Sequence, residues 1–413
     1  MKKMQFFTHK NGLFGCMAGI VLLIVGLTDC SQGDNPTPSA FSAVFKDGTG
    51  GVDGLDAAQS VAVSKDGKNV YVTGGLDNAL AVFTRDTSTG SLTYSTVFKD
   101  GTGGVDGLGD AVFVTVSQDG KNVYVAGYGE NALAVFNRDT STGELTYSAV
   151  IKDNDALTGG GNVDGLEGAT AVAVSQDGKN VYVAGRSDRA LAVFTRDTTG
   201  ALTFSTVFKD GSGGVDGING ASSVVVSEDG KNVYVAGSDD NALAVFNRDT
   251  STGALTYSAV IKDNDALTGG GNVDGLESAR SLTISQDGKN VYVAGSLDSA
   301  LAVFNRDTST GVLTFSTVFK DGTDGVDGLD GAWSVAVSED GENVYVAGWE
   351  DNALAVFTLD TSTGALTFST VFKDGTGGVD GLFRASSVAV SKDGKNSYVT
   401  GYLDDAVAVF TWK

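Results

Sequence analysis

The 413-residue chain carries 28 Lys and Arg against 51 Asp and Glu, a formal net charge of −23 at neutral pH. A surface this acidic repels nucleic acid and anionic membranes. The two cysteines are Cys16 and Cys30 and the single histidine is His9, so beyond residue 30 no side chain is available for a disulfide, a thiolate metal site or an imidazole ligand.

Residues 1 to 29 read as a targeting segment. Lys2, Lys3 and Lys10 precede an apolar run from Leu13 to Leu27. That run fits a secretory h-region of about 7–15 residues and falls short of the roughly 20 needed to span a bilayer. The following LTDC, Leu27 to Cys30, resembles the lipobox of bacterial lipoproteins and makes Cys30 a lipidation candidate. Asp29 departs from that pattern, which usually has a small residue there, so lipid anchoring, simple cleavage and an uncleaved anchor all stay open. Residues 30 to 40 hold both prolines and read as a flexible tether. The expected location is outside the cytoplasm, in the periplasm, at the outer membrane or on the cell surface, with any membrane contact made through the N-terminal anchor.

Nearly everything after residue 40 is repetition. The heptapeptide DGKNVYV, or a near variant, starts at Asp66, Asp119, Asp177, Asp229, Asp287, Asp340 and Asp393. Intervals of 52 to 58 residues belong to repeat architectures. Within the first copy, Ser60 to Ser64, Asn69 to Gly74, Ala79 to Thr84 and Leu92 to Lys99 read as strands, and no segment has helical period. The Asp-Gly of KDGK turns the chain between the first two, and RDTSTG turns it between the third and fourth.

Composition orders these strands. SVAVS is short and built of small residues, as an innermost strand requires where seven sheets converge. NVYVAG and ALAVF are almost continuously apolar, as expected of strands covered on both faces. LTYSTVFK alternates and is expected at the outer edge. Four strands repeated radially predict an all-β fold, a seven-bladed β-propeller of antiparallel blades spanning residues 41 to 413. The last copy ends after its third strand, Ala406 to Phe410, while Phe41 to Leu55 matches a fourth strand and its loop. The N-terminal strand is therefore predicted to complete the last blade.

Variation among the copies gathers in two loops that such connectivity places on one face. Just before the inner strand stand Gln59, Val112, Thr170, Ser222, Arg280, Trp333 and Ser386, and after the second strand stand Gly75, Tyr128, Arg186, Ser238, Ser296, Trp349 and Tyr402. Arg280, Trp333, Trp349, Phe383, Arg384 and Tyr402 come from copies five to seven, which the ring gathers into one sector. Aromatic planes beside guanidinium groups stack on and hydrogen-bond sugars or organic anions, which makes these six the candidate ligand-binding residues. The loops joining copies are rich in Asp and Gly. In the two long loops Asp153, Asp155 and Asp164, and Asp263, Asp265 and Asp274, are candidate oxygen ligands for calcium, although their spacing matches neither an EF-hand nor the nonapeptide calcium repeat. Turn formation in solvated loops accounts for the same residues.

YVTG at Tyr71 and Tyr398, YVAG in the other copies, the ALAVF strand and the RDTSTG turn resemble YVTN-repeat propellers, the superfamily that includes lactonases of the 6-phosphogluconolactonase type. The resemblance spans about residues 41 to 413 and implies seven blades. It rests on strand and turn positions. The family's suspected active sites combine His, Arg and Glu in a central funnel, and a chain without histidine beyond residue 9 offers no matching set.

Two functions follow from this reading. The first is an exported, monomeric module that recognises a small molecule, glycan or protein through the variable face and requires no cofactor. The alternative is a lactonase-like hydrolase, in which Glu277 or Glu350 activates water and Arg280 or Arg384 steadies the developing oxyanion.

Overall fold

The computed structural model describes residues 38–412 apart from 362; the targeting segment, Cys30 and the tether up to residue 37 lie outside the described residues. Strands are numbered in chain order, β1 to β28, and every sheet holds four antiparallel strands. In the first blade the order from the axis outward is β2 (Ala58–Val63), β3 (Asn69–Gly74), β4 (Ala79–Arg85) and β5 (Leu92–Lys99). Seven such sheets form the ring, as the repeat predicts. Adjacent inner strands touch around the whole circle, including β2 against β26 (Ala385–Val390).

Closure is made by β1 (Pro38–Lys46), which pairs with β28 (Ala406–Trp412) and becomes the outer strand of blade seven. The strand starts at Pro38, so Pro38 to Ala40, assigned to the tether by their composition, belong to the sheet. A proline is tolerated there because it opens an edge strand and owes the ladder no amide.

The burial follows the sequence pattern. The second strand of each blade is fully buried, Val70, Tyr71 and Val72 in blade one included. Its tyrosine crosses the seam: Tyr71 packs in the cluster built around Val114, Val123 and Phe136 of blade two. Burying such a side chain contributes about 1.5–3 kcal/mol each, so the core is a circle of interblade clusters.

Five seams carry the same polar staple. In one of them Arg138, at the end of the third strand of blade two, donates from Nε to the Tyr71 hydroxyl at 2.9 Å and from Nη2 to Asp66 at 2.8 Å and Asn69 at 2.8 Å. Arg85, Arg196, Arg248 and Arg306 repeat it. Leu359 and Trp412 occupy the equivalent position in blades six and seven. Facing Leu359, the buried Tyr292 hydroxyl has no partner among the described residues, and facing Trp412, Tyr345 packs on the indole at 5.1 Å.

Candidate functional site

Two backbone features, repeated in each blade, aim side chains at the axis. The first is a bulge at the start of the inner strand. In β2 the register slips between Ala58 and Ser60, leaving Gln59 outside the ladder. The same slip frees Val112, Thr170, Ser222, Arg280, Trp333 and Ser386. A bulge re-aims a side chain and is found beside active sites for that reason. All seven variable positions ahead of the inner strand are thus bulge residues. The second feature is a left-handed residue just before each inner strand, Gly168, Gly220 and Gly331 in three blades and Ala57, Asp110, Ser278 and Arg384 in the others.

Together they build a cavity of about 400 Å³ at the axis on the variable face, lined by Gln59, Asp110, Phe113, Tyr128, Arg186, Arg280 and Trp333 among others. Five of its serines are structural. Ser60, Ser223, Ser281, Ser334 and Ser387 accept the amides of Val114, Leu282, Val335, Val388 and Val61 of the next blade at 3.2–3.3 Å. These bonds satisfy inner strand edges that have no neighbouring strand.

The charged groups in the cavity are of both signs. Arg280 stacks over Trp333 at 4.4 Å, and its buried Nε has no hydrogen-bond partner among the described residues. Burial, with Arg186 adding repulsion, lowers its pKa from the ordinary guanidinium value. Arg186 is held by Asp239 at 2.9 Å. Opposed to these cations is Asp110, whose amide is accepted by Asn78 Oδ1 at 2.8 Å. Burial raises its carboxyl above the usual aspartate range. A Cβ at Gly75 would lie 3.0 Å from Asp110 Oδ1, so a glycine leaves the room this carboxylate uses.

Of the six residues expected to bind ligand, five come together. Trp333 and Trp349 stack at 4.7 Å, Tyr402 lies 5.1 Å from Trp349, and Arg384 covers Trp349 at 5.7 Å while pairing with Glu350. Phe383 stands apart, 43% exposed, with no ring contact among the described residues. Only Arg280 and Trp333 of the six line the cavity itself. Neither acid expected to act as a base lines the cavity: Glu277 is exposed, and Glu350 is engaged by Arg384. Asp110 went unnoticed because acidic residues are plentiful; its signal was that three copies have glycine at that position.

The candidate calcium ligands divide. Asp153 and Asp164 join Asp188 in one carboxylate cluster, and Asp263 and Asp274 join Asp298 in another. Asp155 and Asp265 instead accept the amides of Lys152 and Lys262 at 2.7 Å. Lys209 reaches Asp164 at 2.7 Å and Asp188 at 3.1 Å, and Lys320 reaches Asp274 and Asp298 alike, so each cluster already holds an ammonium. Short loops build the same cluster, as Asp47, Asp53 and Asp77 show, with Lys99 on Asp53 at 2.7 Å.

The sequence matches the family described as Lactonase, 7-bladed beta-propeller over residues 58–155, 197–318 and 271–376. The chain belongs to that lactonase propeller family. Among solved structures, this lactonase-family chain is similar to the periplasmic gluconolactonase of Pseudomonas aeruginosa, with 20% identity over 80% of this chain and 87% of that one and a TM-score of 0.62. A candidate 6-phosphogluconolactonase of Bacteroides fragilis is 22% identical over 80% of this chain and 85% of its own, with a TM-score of 0.61. Hydrazine synthase of Kuenenia stuttgartiensis aligns equally well, at 17% identity over 89% and 99% with a TM-score of 0.62. At such identities the likeness is one of fold, and one ring serves unrelated chemistries. No curated protein matches the sequence.

Proposed function

We propose that the chain hydrolyses lactones in the axial cavity, with Asp110 as general base and Arg280 as the oxyanion partner. One observation carries this reading: a single cavity presents a carboxylate made more basic by burial and a guanidinium whose Nε lacks a partner. Asp110 takes a proton from water as the water oxygen attacks the lactone carbonyl carbon. The tetrahedral oxyanion forms beside Arg280, where a preorganised cation acts in a partly desolvated site. Collapse breaks the acyl–oxygen bond, and protonated Asp110 returns its proton to the departing ring oxygen, leaving a hydroxy acid. Membership of a lactonase family and the gluconolactonase of the same fold support this substrate class.

The test is turnover of glucono-1,5-lactone by the purified chain. Asp110→Asn and Arg280→Ala are each expected to lower kcat by about 10²-fold or more. Unchanged turnover in both variants contradicts the assignment. The stack of Arg280, Trp333, Trp349 and Tyr402 supports a second reading, a sugar-binding module without turnover. That reading predicts saturable quenching of indole fluorescence by sugars in wild type and Asp110→Asn alike, with no lactone consumed by either.

A further inference from the structure

The opposite end of the axis carries a second cavity, of about 240 Å³, on the face of the Asp-Gly turns. Each blade contributes the residue that follows the serine just after the inner strand: Lys65, Gln118, Gln176, Glu228, Gln286, Glu339 and Lys392. The framework around this position is nearly invariant, Ser-x-Asp-Gly in every copy, while the side chain pointing at the axis is not.

Its charges are separated by sign. Lys65 and Lys392 stand on blades one and seven, neighbours across the closing seam. Among the described residues neither ammonium forms an ion pair or hydrogen bond. On a seven-membered ring the blade facing that seam is the fourth, which supplies Glu228. Glutamines orient the two acids: Gln176 Nε2 donates to Glu228 at 2.7 Å and Gln286 Nε2 donates to Glu339 at 2.8 Å. Glu228 feels Lys65 and Glu339 through space without contacting either, and desolvation at the cavity mouth raises its carboxyl. Two like ammonium groups with no anion between them thus face carboxylates whose hydrogen bonds come from neutral glutamines, so neither end has an ion-pair partner in contact.

We infer that this mouth binds a zwitterion with separated charges, such as an ω-amino acid, its carboxylate between Lys65 and Lys392 and its ammonium at Glu228. A simple anion would satisfy only the lysines and a simple amine only the acids. The site is independent of the lactone chemistry, since none of its residues lines the other cavity.

Calorimetric titration of the full chain with 6-aminohexanoate, hexanoate and hexylamine tests it. The expected result is saturable binding of 6-aminohexanoate, with each one-charge analogue weaker by about tenfold or more and the affinity falling as salt rises. Lys65→Met/Lys392→Met and Glu228→Gln are each expected to weaken it about tenfold, and Arg280→Ala to leave it unchanged. All these changes but Arg280→Ala lie at exposed positions, and each variant's melting curve confirms that it is folded. No saturable binding, equal binding of hexanoate, or full affinity in the lysine variant overturns the proposal.

Discussion

Asp110 holds a left-handed backbone, with φ 50°, at a position where three other blades have glycine. For a residue with a β-carbon that costs on the order of 1 kcal/mol, and strain of this kind gathers at functional sites. Its carboxyl is raised by burial, so the folded state holds the proton more tightly than the unfolded chain. The sign follows: Asp110 favours folding below its unfolded pKa and loses that contribution as pH rises through the folded value. Asp110→Asn is therefore expected to melt no lower than wild type at pH 7 while losing turnover, and calorimetry beside kinetics checks both. The acid limb of kcat/KM is expected above the ordinary aspartate value of 3.8 and is absent from any activity left in Asp110→Asn. Arg280 and Trp333 were legible in the sequence because a guanidinium and an indole stand out in a variable series against invariant turns. Asp110 was not, since one acid among 51 stands out only when set beside the glycines of three other copies, and its left-handed backbone shows why glycine stands there.

At the scale of the strand, the arginine that opens each RDTSTG turn was hidden because its partners lie in the preceding blade. Burial opposes the charge on Asp66, but the Ser64 hydroxyl and the Arg138 guanidinium outweigh it and hold the carboxyl below the usual range. The staple therefore stabilises above the unfolded aspartate pKa and is lost as pH falls through the folded one. Arg138→Leu is expected to cost about 3–5 kcal/mol, because it leaves Asp66 and the buried Tyr71 hydroxyl without their partner. Leu359→Arg supplies the missing donor to Tyr292, Asp287 and Asn290 and is expected to raise stability by on the order of 1 kcal/mol. Thermal melts of the two variants check both directions; a lower melt for Leu359→Arg would show that the guanidinium is not accommodated. The loop carboxylates were legible as a group but not as lysine-filled clusters. With Lys209 on Asp164 and Asp188, chelation by EDTA is expected to leave the melting temperature unchanged.

For the ring as a whole, strand order, blade number and closure were all readable, because repetition supplies seven samples of one pattern and the missing final strand appears at the other end of the domain. β1 contributes Lys46 to Asp380 at 2.8 Å, Phe41 against Phe410 and Phe45 against Phe83 of blade one. Deleting residues 38 to 46 bares the edge of β28 and is expected to lower the melting temperature by on the order of 10 °C, with aggregation through that edge. The binding chemistry was readable only as a sector, since bulges and left-handed turns decide which of the varied side chains reach the axis. The most direct test of that placement is a crystal structure with gluconate, the product acid, bound to the chain. Density is expected in the cavity of the variable face, with an oxygen within hydrogen-bond distance of Arg280 Nε and another beside Asp110. Product bound elsewhere on a chain that turns over its lactone would contradict it.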